Sequence, residues 1–280
     1  MIRFFLLLGY SQLMMYLQLT GKLDQFINTH YQYLATLSMI LALFLALVQL
    51  YVWVKNDPKK VSHSHHEHHH HDHDHFMTGR QKFLAYCLLS LPLIVGFLFP
   101  TVSLDTTIVQ AKGFQFPISK ESVGDPEMNT QYLQPNTSIY FNKEDYQKQM
   151  AKLRKKYGST GTVVVTDENY LEVMELIYNY PSEFTGRKIH YEGFIFNAPK
   201  NQGNFLFRFG IIHCVADSGV FGLRVLLPEN TSVKNNQWFQ VEGTIELDYY
   251  EHLQRDLPTV KVAKMTSISA PKNEYVYRSF

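Results

Sequence analysis

Cysteine, tryptophan and net charge are what this 280-residue chain has least of. Its two cysteines, Cys87 and Cys214, lie in regions of different character, so no disulfide framework is expected. Basic and acidic residues number 26 and 25, a balance of +1 that gives no global field for nucleic acid. No serine–histidine–acid arrangement, phosphate-cradling glycine loop or paired-carboxylate motif stands out. His190 and His252 stand alone in charged surroundings, so an enzyme is not expected. Charge is scarcest in the first hundred residues, where nearly everything outside one loop is apolar.

A bilayer core about 30 Å thick calls for roughly 17–25 mostly apolar helical residues. Three stretches meet that demand: residues 2–19, interrupted by Ser11, Gln12 and Gln18; residues 34–54, which carry no charge; and residues 83–99, short, intensely apolar and holding Pro92 and Gly96. Proline is tolerated in a membrane helix at the cost of a kink. Arg3 is the first segment's single basic residue and no small-residue cleavage site follows, so the segment reads as a retained span and not as a signal peptide. Basic residues flanking the spans set the orientation. Lys55, Lys59, Lys60, Arg80 and Lys82 crowd the loop between the second and third spans, Lys22 alone follows the first, and the next after the third is Lys112. The expectation is a multi-pass protein of the cell membrane, with the N-terminus and middle loop cytoplasmic and the C-terminal domain extracytoplasmic.

That middle loop runs Ser62-His-Ser-His-His-Glu-His-His-His-His-Asp-His-Asp-His75. His63, His65, His66, His68, His69, His70, His71, His73 and His75 alternate with Glu67, Asp72 and Asp74. Neutral imidazole ligates zinc, copper or nickel, and carboxylates can complete the shell. A polar tract of this kind can gather ring nitrogens around an ion without a prebuilt cage. It should be fast, unselective and weaker as pH falls through about 6.5. The bland alternative is a solvated linker. Zinc or another divalent transition metal is the expected ligand.

From Thr101 the composition becomes that of a soluble domain. Asn142 can cap a helix that opens with Glu144 and Asp145 and closes with Arg154, Lys155 and Lys156, both sets suiting the helix dipole, with Gly158 ending it. A second helix is expected over 168–178, capped by Thr166 or Asp167 and stopped by Pro181. Five β-like runs follow, 188–197, 205–216, 221–228, 238–247 and 259–268, separated by turn clusters such as 200–204 and 234–237. Phe205, Phe207 and Phe209 share one face of their run; Leu206, Arg208 and Gly210 share the other. The expected architecture is three membrane helices over 1–100, an extracytoplasmic segment with two helices over 101–187, and a five-stranded OB-like β-barrel over 188–280, an α+β soluble domain in all. The usual OB helix between the third and fourth strands has no room here. The run also lacks the basic cluster with which such barrels hold single strands, so nucleic acid is not an expected partner.

One chemical cluster lies in this domain: His213, Cys214 and Asp217, at the end of the second run. An imidazole, a thiol and a carboxylate within five residues could supply metal ligands. Strict strand alternation sends His213 and Cys214 to opposite faces unless a bulge re-aims them, and a small cysteine packed beside a histidine explains them equally well.

The layout resembles the bacterial YcgQ-like proteins, a family of permease subunits, over nearly the whole chain. The resemblance rests on the N-terminal spans, the histidine loop, Asp167-Glu-Asn-Tyr-Leu171, Phe184-Thr-Gly-Arg-Lys-Ile189, Glu192-Gly-Phe194, Arg208-Phe-Gly-Ile-Ile-His-Cys-Val-Ala-Asp217 and Trp238-Phe-Gln-Val-Glu-Gly243. Many members pair two cysteines where this chain has His213 and Cys214, a departure that keeps a ligand but loses a thiol. What the resemblance implies is a small membrane subunit beside a larger, separately encoded multi-spanning permease, with a link to zinc handling. None of the three spans carries the buried acid or base of an ion path, which agrees with an accessory role. The alternative from another class is a membrane-tethered extracytoplasmic metallochaperone or metal sensor acting through His213, Cys214 and Asp217.

Overall fold

The computed structural model describes residues 1–55, 79–99, 106, 109, 143–158, 161–199, 202–229, 231–251 and 254–279. The histidine loop, Asn142 and the stretch around 112–117 lie outside them. The chain divides into two units: Met1–Leu23 with Tyr31–Val102, and Asp24–His30 with Ser103–Phe280.

The first unit is helical, with α1 (Ile2–Leu19), α2 (Gln32–Lys55) and α3 (Gly79–Leu98). Among the described residues two helices are long and apolar enough to cross a membrane, Thr29–Lys55 and Gly79–Leu98. The segment α1 has the length, but Ser11, Gln12 and Gln18 dilute its apolarity. In α2 only Ala35 and Ala46 are buried, while Leu37, Phe44, Leu47 and Tyr51 point outward. In α3 nothing is buried, and Phe83, Leu88 and Leu98 are exposed. A core helix of a soluble protein would hide these side chains; helices surrounded by lipid need not.

Within this unit α1 packs on α3 at two glycines. A Cβ on Gly9 would lie 2.9 Å from Leu93 Cδ1, and one on Gly96 would lie 2.8 Å from Leu13 Cδ1. Pro92 interrupts the hydrogen-bond ladder of α3. Near that break the Tyr10 hydroxyl donates to the Leu89 carbonyl at 2.7 Å, a bond between helices that lipid cannot supply. Tyr10→Phe is therefore expected to destabilise the bundle by about 1 kcal/mol, read as an earlier midpoint when SDS is titrated into mixed micelles.

The second unit holds helices α4 (Lys143–Tyr157), α5 (Tyr170–Asn179) and α6 (Pro181–Phe184). Its strands are β1 (Val163–Val164), β2 (Lys188–Asn197), β3 (Asn204–Ile211), β4 (Gly219–Leu226), β5 (Trp238–Tyr250), β6 (Arg255–Ser267) and β7 (Tyr275–Tyr277). Among the described residues they form one mixed sheet in the order β1-β2-β5-β6-β4-β3-β7, and β2 pairs with β3 as well. The pairs β1–β2, β3–β7 and β4–β6 are parallel, the others antiparallel.

Two Glu-Gly dipeptides mark where strands approach closely. A Cβ on Gly193 would sit 2.6 Å from the Phe207 carbonyl oxygen, and one on Gly243 would sit 2.4 Å from that of Lys261, at the register shift between Glu242 and Gly243. Rings line one face of the β2–β3 ladder: Phe205 stacks on Phe207 with centroids 5.4 Å apart, and Phe194 on Phe209 at 5.2 Å. Every residue of α5 from Tyr170 to Tyr178 is buried, including Glu172 and Glu175. Its apolar side chains join those of α4 and the strands in one core.

The structure corrects the expected boundaries in three places. The second run stops as β3 at Ile211 and not at 216, because the amides of His213 and Cys214 are taken by a side chain and leave the ladder. The helix α5 begins at Tyr170 with Asn169 as its flanking residue; the Asn169 Oδ1 accepts the Thr166 N–H, while Asp167 is engaged elsewhere. Short strands β1 and β7, beyond the five expected, extend the sheet by parallel pairing, two or three residues each.

Candidate functional site

The segment from Asp24 to His30, between α1 and α2 in sequence, is a strap built into the second unit. Ile27 bridges Cys214 in antiparallel fashion; the Val215 N–H donates to the Phe26 carbonyl at 2.8 Å and the Asn28 N–H to the His213 carbonyl at 2.9 Å. Asn28 is buried, and its Nδ2 donates to the carbonyls of Ile212 at 2.7 Å and Arg278 at 2.8 Å. Its Oδ1 accepts the His30 N–H at 2.9 Å. The Tyr277 hydroxyl donates to the Asp24 carbonyl at 2.8 Å. The strap thus ties the exit of β3 to the chain beyond β7.

Against this strap sits the predicted cluster. Asp217 accepts hydrogen bonds from the His213 N–H at 3.0 Å and the Cys214 N–H at 3.0 Å, and its Oδ2 lies 2.8 Å from His213 Nδ1. The carboxylate reaches back to the amides ahead of the short helical turn Val215–Asp217, as the third residue of a capping box does, and lies beside the imidazole, which is a structural job more than that of a metal shell. The Cys214 side chain is exposed, and the same short turn draws on it as well as on Asp217. Among the described residues, no group of three or more histidine, cysteine, aspartate or glutamate side chains is placed to hold a metal ion. The nine histidines of the loop lie outside the described residues.

Sequence reasoning missed two buried arginines. Arg208, 1% exposed, pairs with Asp167, donates from Nη2 to the Asn273 carbonyl at 2.9 Å, and lies 5.8 Å from the Tyr170 ring and 5.4 Å from the Trp238 ring. Burial pushes the Tyr170 hydroxyl well above its ordinary range, so that side chain stays neutral beside the guanidinium. Three of the stretches on which the resemblance rests meet here: the one holding Asp167 and Tyr170, the one holding Arg208, and the one opening on Trp238. The second arginine, Arg278, is fully buried and pairs with the buried Glu175, which also accepts from the Tyr146 hydroxyl at 2.8 Å. Ser279 in turn hydrogen-bonds Glu172. Arg208 and Arg278 therefore hold the C-terminal strand from both of its ends. An arginine inside an otherwise apolar strand run was the available signal for Arg208; Asn28 gave none, since a lone asparagine in a short inter-helix loop reads as a turn residue.

Comparison with known proteins matches residues 2–115 to the DUF1980 N-terminal domain and residues 140–278 to the DUF1980 C-terminal domain. The chain is 46% identical over 286 residues, the full length of both, to a Streptococcus mutans protein that carries the name of a two-component membrane permease complex subunit. It is 41% identical over 287 residues, again the full length of both, to the UPF0703 protein YcgQ of Bacillus subtilis. No solved structure matches.

Proposed function

The chain belongs to the DUF1980 family, and on that premise we propose that it is the accessory subunit of a two-component membrane permease. The observation that carries the proposal is the full-length likeness to a protein bearing that name, together with apolar helices whose side chains face outward. A separately encoded multi-spanning partner supplies the transport path. Purification in mild detergent tests this: the partner permease is expected to accompany the chain, and a chain that runs alone overturns the reading.

The finer features belong to the same proposal. The segment α1 is a third span. The strap supports the topology: residues 24–30 fold with the C-terminal domain, so both lie on one side of the bilayer, and α2 and α3 carry the loop between them to the other. Lysine and arginine in that loop favour the cytoplasm for it and the exterior for the domain. The pairing of β2 with β3, added to the sheet order β2-β5-β6-β4-β3, supports an OB-type ring of five strands. The histidine loop collects a divalent ion, zinc first, at the cytoplasmic mouth. Zinc calorimetry on the full chain at neutral pH is expected to give heat that vanishes when residues 62–75 are deleted and fades below about pH 6.5. Equal heats with and without the loop would remove metal from the proposal.

A further inference from the structure

We propose that the hydroxyls of Tyr170, Tyr178 and Tyr191 form an internal site between α5 and the sheet that holds one water molecule. Tyr170 opens α5, Tyr178 lies near its end, and Tyr191 belongs to β2. All three are buried in the one core that joins the helix to the strands. The rings of Tyr170 and Tyr191 approach to 6.4 Å between centroids, with their planes 55° apart. Neither hydroxyl of that pair meets a hydrogen-bond partner among the described residues. Tyr178 differs, because its hydroxyl donates to the Gly222 carbonyl on β4 at 2.8 Å.

A buried hydroxyl gives up its bonds to bulk water and destabilises the fold unless something inside replaces them. Where only volume and shape matter the same core uses phenylalanine, at Phe184, Phe196 and Phe205. Tyrosine at 170 and 191 adds a polar group that phenylalanine would spare. Burial above all holds the Tyr191 hydroxyl well above its ordinary range, and the Tyr170 and Tyr178 oxygens add to the effect. Tyr178 is raised by burial first and then by Tyr170. The three oxygens therefore lie within electrostatic reach of one another, and all stay protonated. Neutral hydroxyls offer no charge to an ion, and the neighbouring Arg208 is already paired with Asp167.

Water matches the bonding that is left over. Tyr170 and Tyr191 can each donate to its oxygen, while Tyr178, its proton given to Gly222, can only accept from it. That makes three bonds, the usual complement of a buried water. So placed, the water fastens α5 to β2 and, through Tyr178, to β4. The inference is independent of the permease reading.

The test is magnetic relaxation dispersion of water oxygen, which counts long-lived internal waters, together with thermal midpoints, on the full chain in mild detergent. Tyr170→Phe and Tyr191→Phe are each expected to lose one long-lived water and to lower the midpoint by about 2–4 °C. The double variant is expected to melt no lower than the single ones, since each single change leaves the other hydroxyl without its bridge. A parent chain with no long-lived internal water overturns the proposal, whatever the variants do. An unchanged water count with coupled losses of stability also overturns it, as the mark of a direct bond between the two hydroxyls. Additive losses overturn it by assigning the hydroxyls separate partners, and a midpoint that rises in either single variant does so by showing them unsatisfied.

Discussion

Glu175→Gln lowers the stability of the C-terminal domain by about 3–5 kcal/mol. The side chain is nearly isosteric and can still accept the Tyr146 hydroxyl, so packing changes little. What changes is charge. Arg278 is fully buried, and Glu175, itself 3% exposed, faces it as its carboxylate partner. Removing one member of such a pair leaves an ion in a medium that solvates it poorly, and a guanidinium does not escape by losing its proton. Burial and the Glu175 carboxylate push the Tyr146 hydroxyl upward, so it remains a donor and brings no negative charge to help. The measurement is the thermal midpoint of the full chain in mild detergent, followed by Trp238 emission in a Trp53→Phe background. A Glu175→Leu/Arg278→Met double variant separates charge from volume. It is expected to recover much of the loss, because the pair's mutual attraction mostly repays its desolvation. A double variant as unstable as the sum of its single changes would refute the account.

Much of this domain was legible in sequence because its signals are local. Alternation of Phe205, Phe207 and Phe209 announced β3, and the dipole-matched charges of α4 announced that helix and its end near Gly158. Boundaries failed where a side chain just outside the run competed for backbone donors. Asp217 takes the amides of His213 and Cys214, which ends β3 early, and nothing in the run 205–216 foretells that capture. The short strands β1 and β7 were invisible for a similar reason: two or three residues carry no periodicity, and their pairing is parallel and long-range. The candidate cluster suffered the same way. Spacing put His213, Cys214 and Asp217 together correctly, but it could not reveal that the carboxylate is already occupied by the turn it closes. Arg208 and Arg278 were harder still, because their partners come from distant stretches of the chain.

Asn28 yields the second large effect. Asn28→Ala is expected to cost about 3 kcal/mol, since the carbonyls of Ile212 and Arg278 lose the same donor and a buried unsatisfied acceptor costs about 1–3 kcal/mol. For a domain of this size the thermal midpoint falls by about 6–12 °C. Asn28→Asp distinguishes hydrogen bonding from packing. Its shape is the same, but it presents a carboxylate to two carbonyl oxygens, so it should destabilise at least as much as alanine does. A crosslink reads the strap directly. Ile27 and Cys214 are paired while their neighbours make the flanking hydrogen bonds, Val215 to Phe26 and Asn28 to His213, which marks the close, non-hydrogen-bonded position of an antiparallel ladder. Such pairs bring Cα atoms within disulfide range. Ile27→Cys should therefore oxidise onto Cys214 in good yield in a Cys87→Ser background, and adding Asn28→Asp should abolish that yield. Because the strap joins α1 to α2, its release would free the first inter-helix loop from the domain. An Asn28→Asp chain that melts and crosslinks like its parent would mean that the backbone bridge alone holds the strap, and that the buried amide is incidental.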